Sequence, residues 1–155
     1  IIFAVLVVYL VLSAQFESFR NPVTIILTVP IALTSGLYAL FLTGTSINVY
    51  SQIGFLMLIG LIAKNGILVV EFANQLRREG LAIEEAIIES SMIRLRPVLM
   101  TTISTLLGAI PLVLSTGAGS ESRYSMAIVV LGGIAISSLI TLYLVPALYK
   151  YIEKK

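Results

Sequence analysis

The placement of charge along this chain constrains its fold more than any other feature. Asn21 to Ala63, Pro97 to Ser120 and Tyr124 to Tyr149 each run without a single ionised side chain. Every one of these stretches is at least as long as the roughly 20 apolar residues that cross a bilayer as a helix. With 58% apolar and 12% charged residues among 155, and a mean hydropathy of +1.04, the surface of such a chain cannot be kept wet. The expected fold class is therefore an all-α integral membrane bundle of about five transmembrane helices.

The first crossing, about residues 1–14, is apolar and ends at the polar stretch Gln15 to Asn21. At 1.5 Å per residue it spans only about 21 Å, short of a ~30 Å hydrocarbon core. It reads as a truncated helix with more protein upstream. The second crossing, 22–43, opens on Pro22, whose missing N–H suits a first helical turn. Pro30 within it predicts a kink. The third, 51–74, carries Lys64 and Glu71 in apolar surroundings.

The segment 80–95 reads as an amphipathic cytoplasmic linker. Ile83, Ala86, Ile87 and Ser90 recur at helical spacing among Glu84, Glu85 and Glu89, which suits a helix lying at a membrane surface. The fourth crossing, 97–114, follows Pro97, and the fifth, 124–149, ends among Tyr143, Tyr149 and Tyr151 at the expected depth of an aromatic belt. Gly132, Gly133, Ser137 and Ser138 read as a close-packing face.

Five crossings put Arg20, Arg77, Arg78, Arg94, Arg96, Lys150, Lys154 and Lys155 on one side and leave Arg123 alone on the other. The positive-inside rule then makes the first side, and the C-terminus, cytoplasmic. A net charge of +2 from scattered residues gives no footprint for nucleic acid. The chain has no cysteine and no histidine, so no thiolate and no imidazole metal ligand, and no Walker loop or nucleophile–base pair is present. No cofactor or metal is expected, and an ATPase or hydrolase site is excluded from these residues. Proton chemistry here must use Lys or Glu.

Lys64 lies too deep in its helix for its ammonium to reach water by snorkelling. An ammonium at that depth costs a few kcal/mol on insertion scales and needs a polar partner inside protein. Ile53, Met57, Gly60, Lys64, Leu68 and Glu71 share one helix face. Glu71 lies two turns away, about 10.5 Å along the axis, so a direct pair would be strained. The carboxylate that balances Lys64 is therefore expected on another helix, with Glu71 an accessory candidate nearer the cytoplasmic rim. The alternative for Lys64 is a purely structural ion pair, and for Glu71 a solvated or headgroup-level carboxylate. Arg94 and Thr101, seven apart, share a face if the helix runs through Pro97. Together they could extend a polar path from the cytoplasm. Otherwise Arg94 and Arg96 are positive-inside anchors, and Thr101 and Thr102 bond back to their own helix.

The runs IGLIAKNGILVVEFANQLRREG, Ile59 to Gly80, and RLRPVLMTTISTLLGAIPLVLSTGAGSESR, Arg94 to Arg123, resemble the tenth and eleventh transmembrane helices of resistance-nodulation-division (RND) multidrug exporters. QFESFRNP and the closing LVPALY fit the same family, so the resemblance covers helices eight to twelve and essentially the whole chain. It implies half of a larger polytopic transporter domain. It also implies a proton relay of Lys64 in the AKN motif, Arg94 as the first arginine of RLRP and Thr101 as the first threonine of MTT. Lys64 would be held by an aspartate pair on a helix outside this chain.

The resemblance further implies a homotrimer in the bacterial inner membrane, working with the rest of the same transporter, a periplasmic adaptor and an outer-membrane channel. The expected function is part of a proton-driven exporter of drugs or other amphiphilic compounds, a secondary active transporter rather than an enzyme. The heavy-metal branch of the family is an alternative, although the AKNGIL form is more like the drug-exporting branch. A second alternative, of a different class, is a non-transporting membrane scaffold whose Lys64 only locks helices together.

Overall fold

The computed structural model describes residues 1–154. It contains six helical segments: α1 (Ile2–Phe16), α2 (Arg20–Ile26), α3 (Val29–Thr43), α4 (Val49–Arg78), α5 (Ile83–Val113) and α6 (Ser120–Glu153). Taking α2 and α3 as one bent span, Arg20–Thr43, four helices are long and apolar enough to cross a membrane, and α1 is a shorter apolar helix of 15 residues. Large apolar side chains face outward along the bundle, among them Phe3, Phe41, Met92 and Leu114 at 72% exposure or more. An all-α membrane bundle accounts for such a surface, because lipid rather than water covers it.

The expected kink becomes a break. The second crossing, read as 22–43, starts two residues earlier and is interrupted at Leu27 and Thr28. Helix α2 stops at Ile26, the residue whose carbonyl would have accepted from the N–H that Pro30 lacks. Thr28 bridges the gap, its hydroxyl donating to the Ile25 carbonyl at 2.6 Å and its own carbonyl accepting from Ala32 N–H at 3.2 Å to restart the helix.

The largest departure lies between 80 and 113. The segment 80–95 does not form a helix separate from the fourth crossing, since α5 runs unbroken for 31 residues with Pro97 and Pro111 inside it. Its buried positions, Ala86, Ile87, Ser90, Val98, Thr102 and Ala109, form one stripe at helical spacing. The face expected to lie on lipid packs instead on protein, Ile87 joining Val70, Ala73, Val145 and Tyr149 in one of two apolar clusters.

Helices α4 and α6 run parallel. The contacts Asn48–Ser125, Asn74–Tyr149 and Arg77–Glu153 keep a nearly constant sequence separation of 77, 75 and 76 residues. At the 44–48 end, Asn48 caps α4, its side chain accepting from Ser51 N–H at 2.9 Å while Ser51 Oγ accepts from Asn48 N–H at 2.8 Å. At the other end the buried Tyr149 hydroxyl donates to Asn74 Oδ1 at 2.6 Å, and Arg77 pairs with Glu153 at 2.5 Å. The parallel pair stays close because α6 is small where it meets its neighbours. A Cβ at Gly132 would overlap that of Ala39, and one at Gly133 would overlap Leu58. The buried Ser137 hydroxyl donates to the Gly133 carbonyl of its own helix.

Helix α5 is antiparallel to both. Its first turn therefore meets the last turns of α6, where Glu84 pairs with Lys150 at 3.0 Å and Lys154 at 3.4 Å. The basic residues read as sharing one side thus gather at the 79–82 end; Lys155 lies outside the described residues.

Candidate functional site

Lys64 sits at the middle of α4, and the face it shares with Ile53, Met57, Gly60, Leu68 and Glu71 is the one this bundle leaves uncovered. All but Leu68, which is half-buried, are exposed. Nothing lies within 4 Å of a Cβ placed on Gly60, so another helix could approach closely there. Among the described residues the ion pairs are those of Arg77 with Glu153 and of Lys150 and Lys154 with Glu84, and Lys64 takes part in none.

The antiparallel run of α4 and α5 brings Lys64 level with Thr101. Leu61, Lys64 and Asn65 of α4, Thr101, Thr102 and Thr105 of α5 and Ile134 of α6 line one small cleft of about 30 Å³. That is room for about one water, with several polar groups to hold it. Eight residues on along α4 and seven back along α5, the guanidinium of Arg94 lies over the Phe72 ring, 4.8 Å from its centroid. Arg94 Nε is buried without a hydrogen-bond partner. Because α5 continues through Pro97, Arg94 and Thr101 lie two turns apart on one face. Lys64, Thr101 and Arg94 therefore follow a single α4/α5 seam from mid-bundle toward the 79–82 end.

Glu71 is not brought into this cleft. It lines a separate polar cavity of about 370 Å³ at the 79–82 end with Gln15, Glu17, Asn74, Gln75 and Arg78.

The three threonines of the cleft differ. Thr101 donates to the Val98 carbonyl at 3.0 Å and Thr105 to the Thr101 carbonyl at 2.8 Å, both within their own helix. Thr102 does not bond back, as sequence reasoning allowed, but reaches across to Ser138 Oγ of α6 at 3.5 Å. Asn65, Phe72, Thr105 and Ser138 were not singled out as site residues. Asn65 and Thr105 had a signal, as the neighbour of Lys64 and the residue one turn from Thr101, whereas Phe72 and Ser138 depend on helix packing that the sequence does not display.

The AcrB/AcrD/AcrF family profile matches residues 1–153. The chain belongs to this family. This agrees with the resemblance of its sequence to RND exporters. It is 43% identical over 155 residues to multidrug resistance protein MdtC of Erwinia amylovora, covering 99% of this chain and 15% of that protein. It is similarly 43% identical to MdtC of Proteus mirabilis, with 99% and 15% covered. An uncharacterized transporter of Haemophilus influenzae is 42% identical, with 96% of this chain and 15% of that protein covered. The chain thus spans about 15% of the length of these curated AcrB/AcrD/AcrF relatives.

Proposed function

We propose that these helices form part of a proton-driven efflux transporter of the bacterial inner membrane and carry part of its proton relay, with Lys64, Arg94 and Thr101 as the relay groups. One observation carries the reading: Lys64 and Thr101 line one polar cleft at mid-bundle, while Lys64 stands on an open face and forms no ion pair among the described residues. A lysine that merely locked these helices together would be paired within them. An uncovered ammonium at bilayer depth calls for a carboxylate from another helix, and the aspartate pair implied by the RND resemblance fills that role. Loading and releasing a proton there makes and breaks the contact with Lys64, which tilts α4 and α5 and moves a distant substrate region.

The relatives named for multidrug resistance favour drugs or other amphiphilic compounds as substrates. A homotrimer, a periplasmic adaptor and an outer-membrane channel complete the proposal, with the 79–82 end and the C-terminus cytoplasmic. Glu71, in its polar cavity at that end, is an accessory at the cytoplasmic mouth.

The test is Lys64→Ala in the complete transporter, with drug export and membrane abundance measured in the same cells. Export is expected to vanish while insertion and trimer remain, because the change removes a relay charge and lowers the insertion cost. Lys64→Arg should fail as well, since a planar fork does not replace a compact ammonium between carboxylates. Export by Lys64→Ala at near wild-type rate overturns the assignment.

A further inference from the structure

We infer that Thr102 and Ser138 form a positioning pair that holds the Lys64 cleft in register with α6, an inference that rests on the relay reading above. Thr102 is the one threonine lining the cleft whose hydroxyl leaves its helix, while those of Thr101 and Thr105 are tied to carbonyls of α5. Its partner Ser138 is 2% exposed and Thr102 8%, so the contact is shielded from the surroundings of the bundle. Ser138 also stands one turn beyond Ile134, the α6 residue that closes the cleft. The pair therefore links the wall carrying Thr101 to the helix that α4 follows in parallel along its length.

At 3.5 Å the contact is longer than a settled O–H···O bond. It is a looser tie than the 2.6 Å bond between Tyr149 and Asn74. Thr141, 4% exposed on the next turn of α6, provides the contrast, because its buried hydroxyl has no hydrogen-bond partner. It adds polarity to this helix without linking it to anything.

The experiment uses the complete transporter with Thr102→Val, Ser138→Ala, the double variant, the conservative Thr102→Ser, Thr141→Val as control and Lys64→Ala in parallel. Export rate per folded trimer is measured across a series of imposed pH gradients, with abundance and thermal stability recorded for each. Thr102→Val and Ser138→Ala are each expected to slow export by about two- to tenfold, the fold-change of one hydrogen bond, and to shift the pH at which export is half-maximal. The double variant should be no slower than the worse single one, because both remove the same link. Thr102→Ser should restore the wild-type profile, and Thr141→Val should leave it unchanged. A wild-type pH profile in Thr102→Val, or equal defects in Thr102→Val and Thr141→Val, overturns the positioning role if Lys64→Ala is inactive. An active Lys64→Ala overturns the relay reading itself, and this inference with it.

Discussion

The α3/α6 contact offers a steric prediction whose size can be worked from coordinates. A methyl group added at Gly132 would overlap Ala39 Cβ, with Ala39 Cα only 3.5 Å away. Ala39 has no side-chain torsion through which to retreat, so Gly132→Ala must push α3 and α6 apart. Overpacking of this kind costs about 1–3 kcal/mol. Replacing glycine by alanine inside a helix recovers up to about 1 kcal/mol of backbone preference. The net destabilisation is then about 0–2 kcal/mol, and about 1–3 kcal/mol relative to a Gly→Ala change that meets no neighbour.

Gly133→Ala overlaps Leu58 Cδ2 and meets Cδ1 at 2.8 Å, the far end of a side chain with rotatable bonds, and should destabilise less. Gly108→Ala on α5 has nothing within 4 Å and should be neutral or mildly stabilising. The decisive variant is Ala39→Gly combined with Gly132→Ala, which moves the same methyl group from one helix to the other and should recover most of the loss. The assay is thermal unfolding of the purified complete transporter in detergent, scored by retention of the monodisperse peak. The steric account fails if Gly132→Ala melts no lower than Gly108→Ala, or if adding Ala39→Gly deepens the defect.

Two further predictions concern the relay and its orientation. Thr101→Val keeps the volume and loses a bond to the Val98 carbonyl worth about 0.5–1.5 kcal/mol, so abundance should barely change; a severe loss of proton-driven export would mark the hydroxyl as a relay group, and near wild-type export would remove Thr101 from the relay. For orientation, Arg78→Cys and Ser120→Cys, treated in intact cells with an impermeant thiol reagent, should leave the first unlabelled and the second labelled. The opposite pattern would invert the proposed topology.

Much of the architecture was legible because bilayer physics acts on one-dimensional information. Uncharged runs long enough to span, Pro30 where a helix must yield, and glycine with serine on one face of α6 are local signals, and each has its counterpart in the helices, the break at Leu27 and Thr28, and the close approach at Gly132 and Gly133. The helical face of Ile83, Ala86, Ile87 and Ser90 was equally visible, but what it would cover was not. A sequence shows that a face is apolar, not whether lipid or protein meets it. Pro97 misled for a related reason, since a proline's local cost does not by itself decide whether a helix runs on through it.

The candidate site divides along the same line. Lys64 stands out in sequence alone because a charge deep in an apolar run is costly wherever its helix packs. That Thr101 lies level with it, that Arg94 rests on Phe72, and that Thr102 rather than Thr101 reaches across to Ser138 depend on the relative shift of α4, α5 and α6. Each helix repeats every 3.6 residues, so a shift of one turn would preserve its apolar face while changing every cross-helix partner. Contacts between helices select among those shifts: Asn48 with Ser125, Tyr149 with Asn74 and Arg77 with Glu153 set α4 against α6, and Glu84 with Lys150 sets α5 against α6.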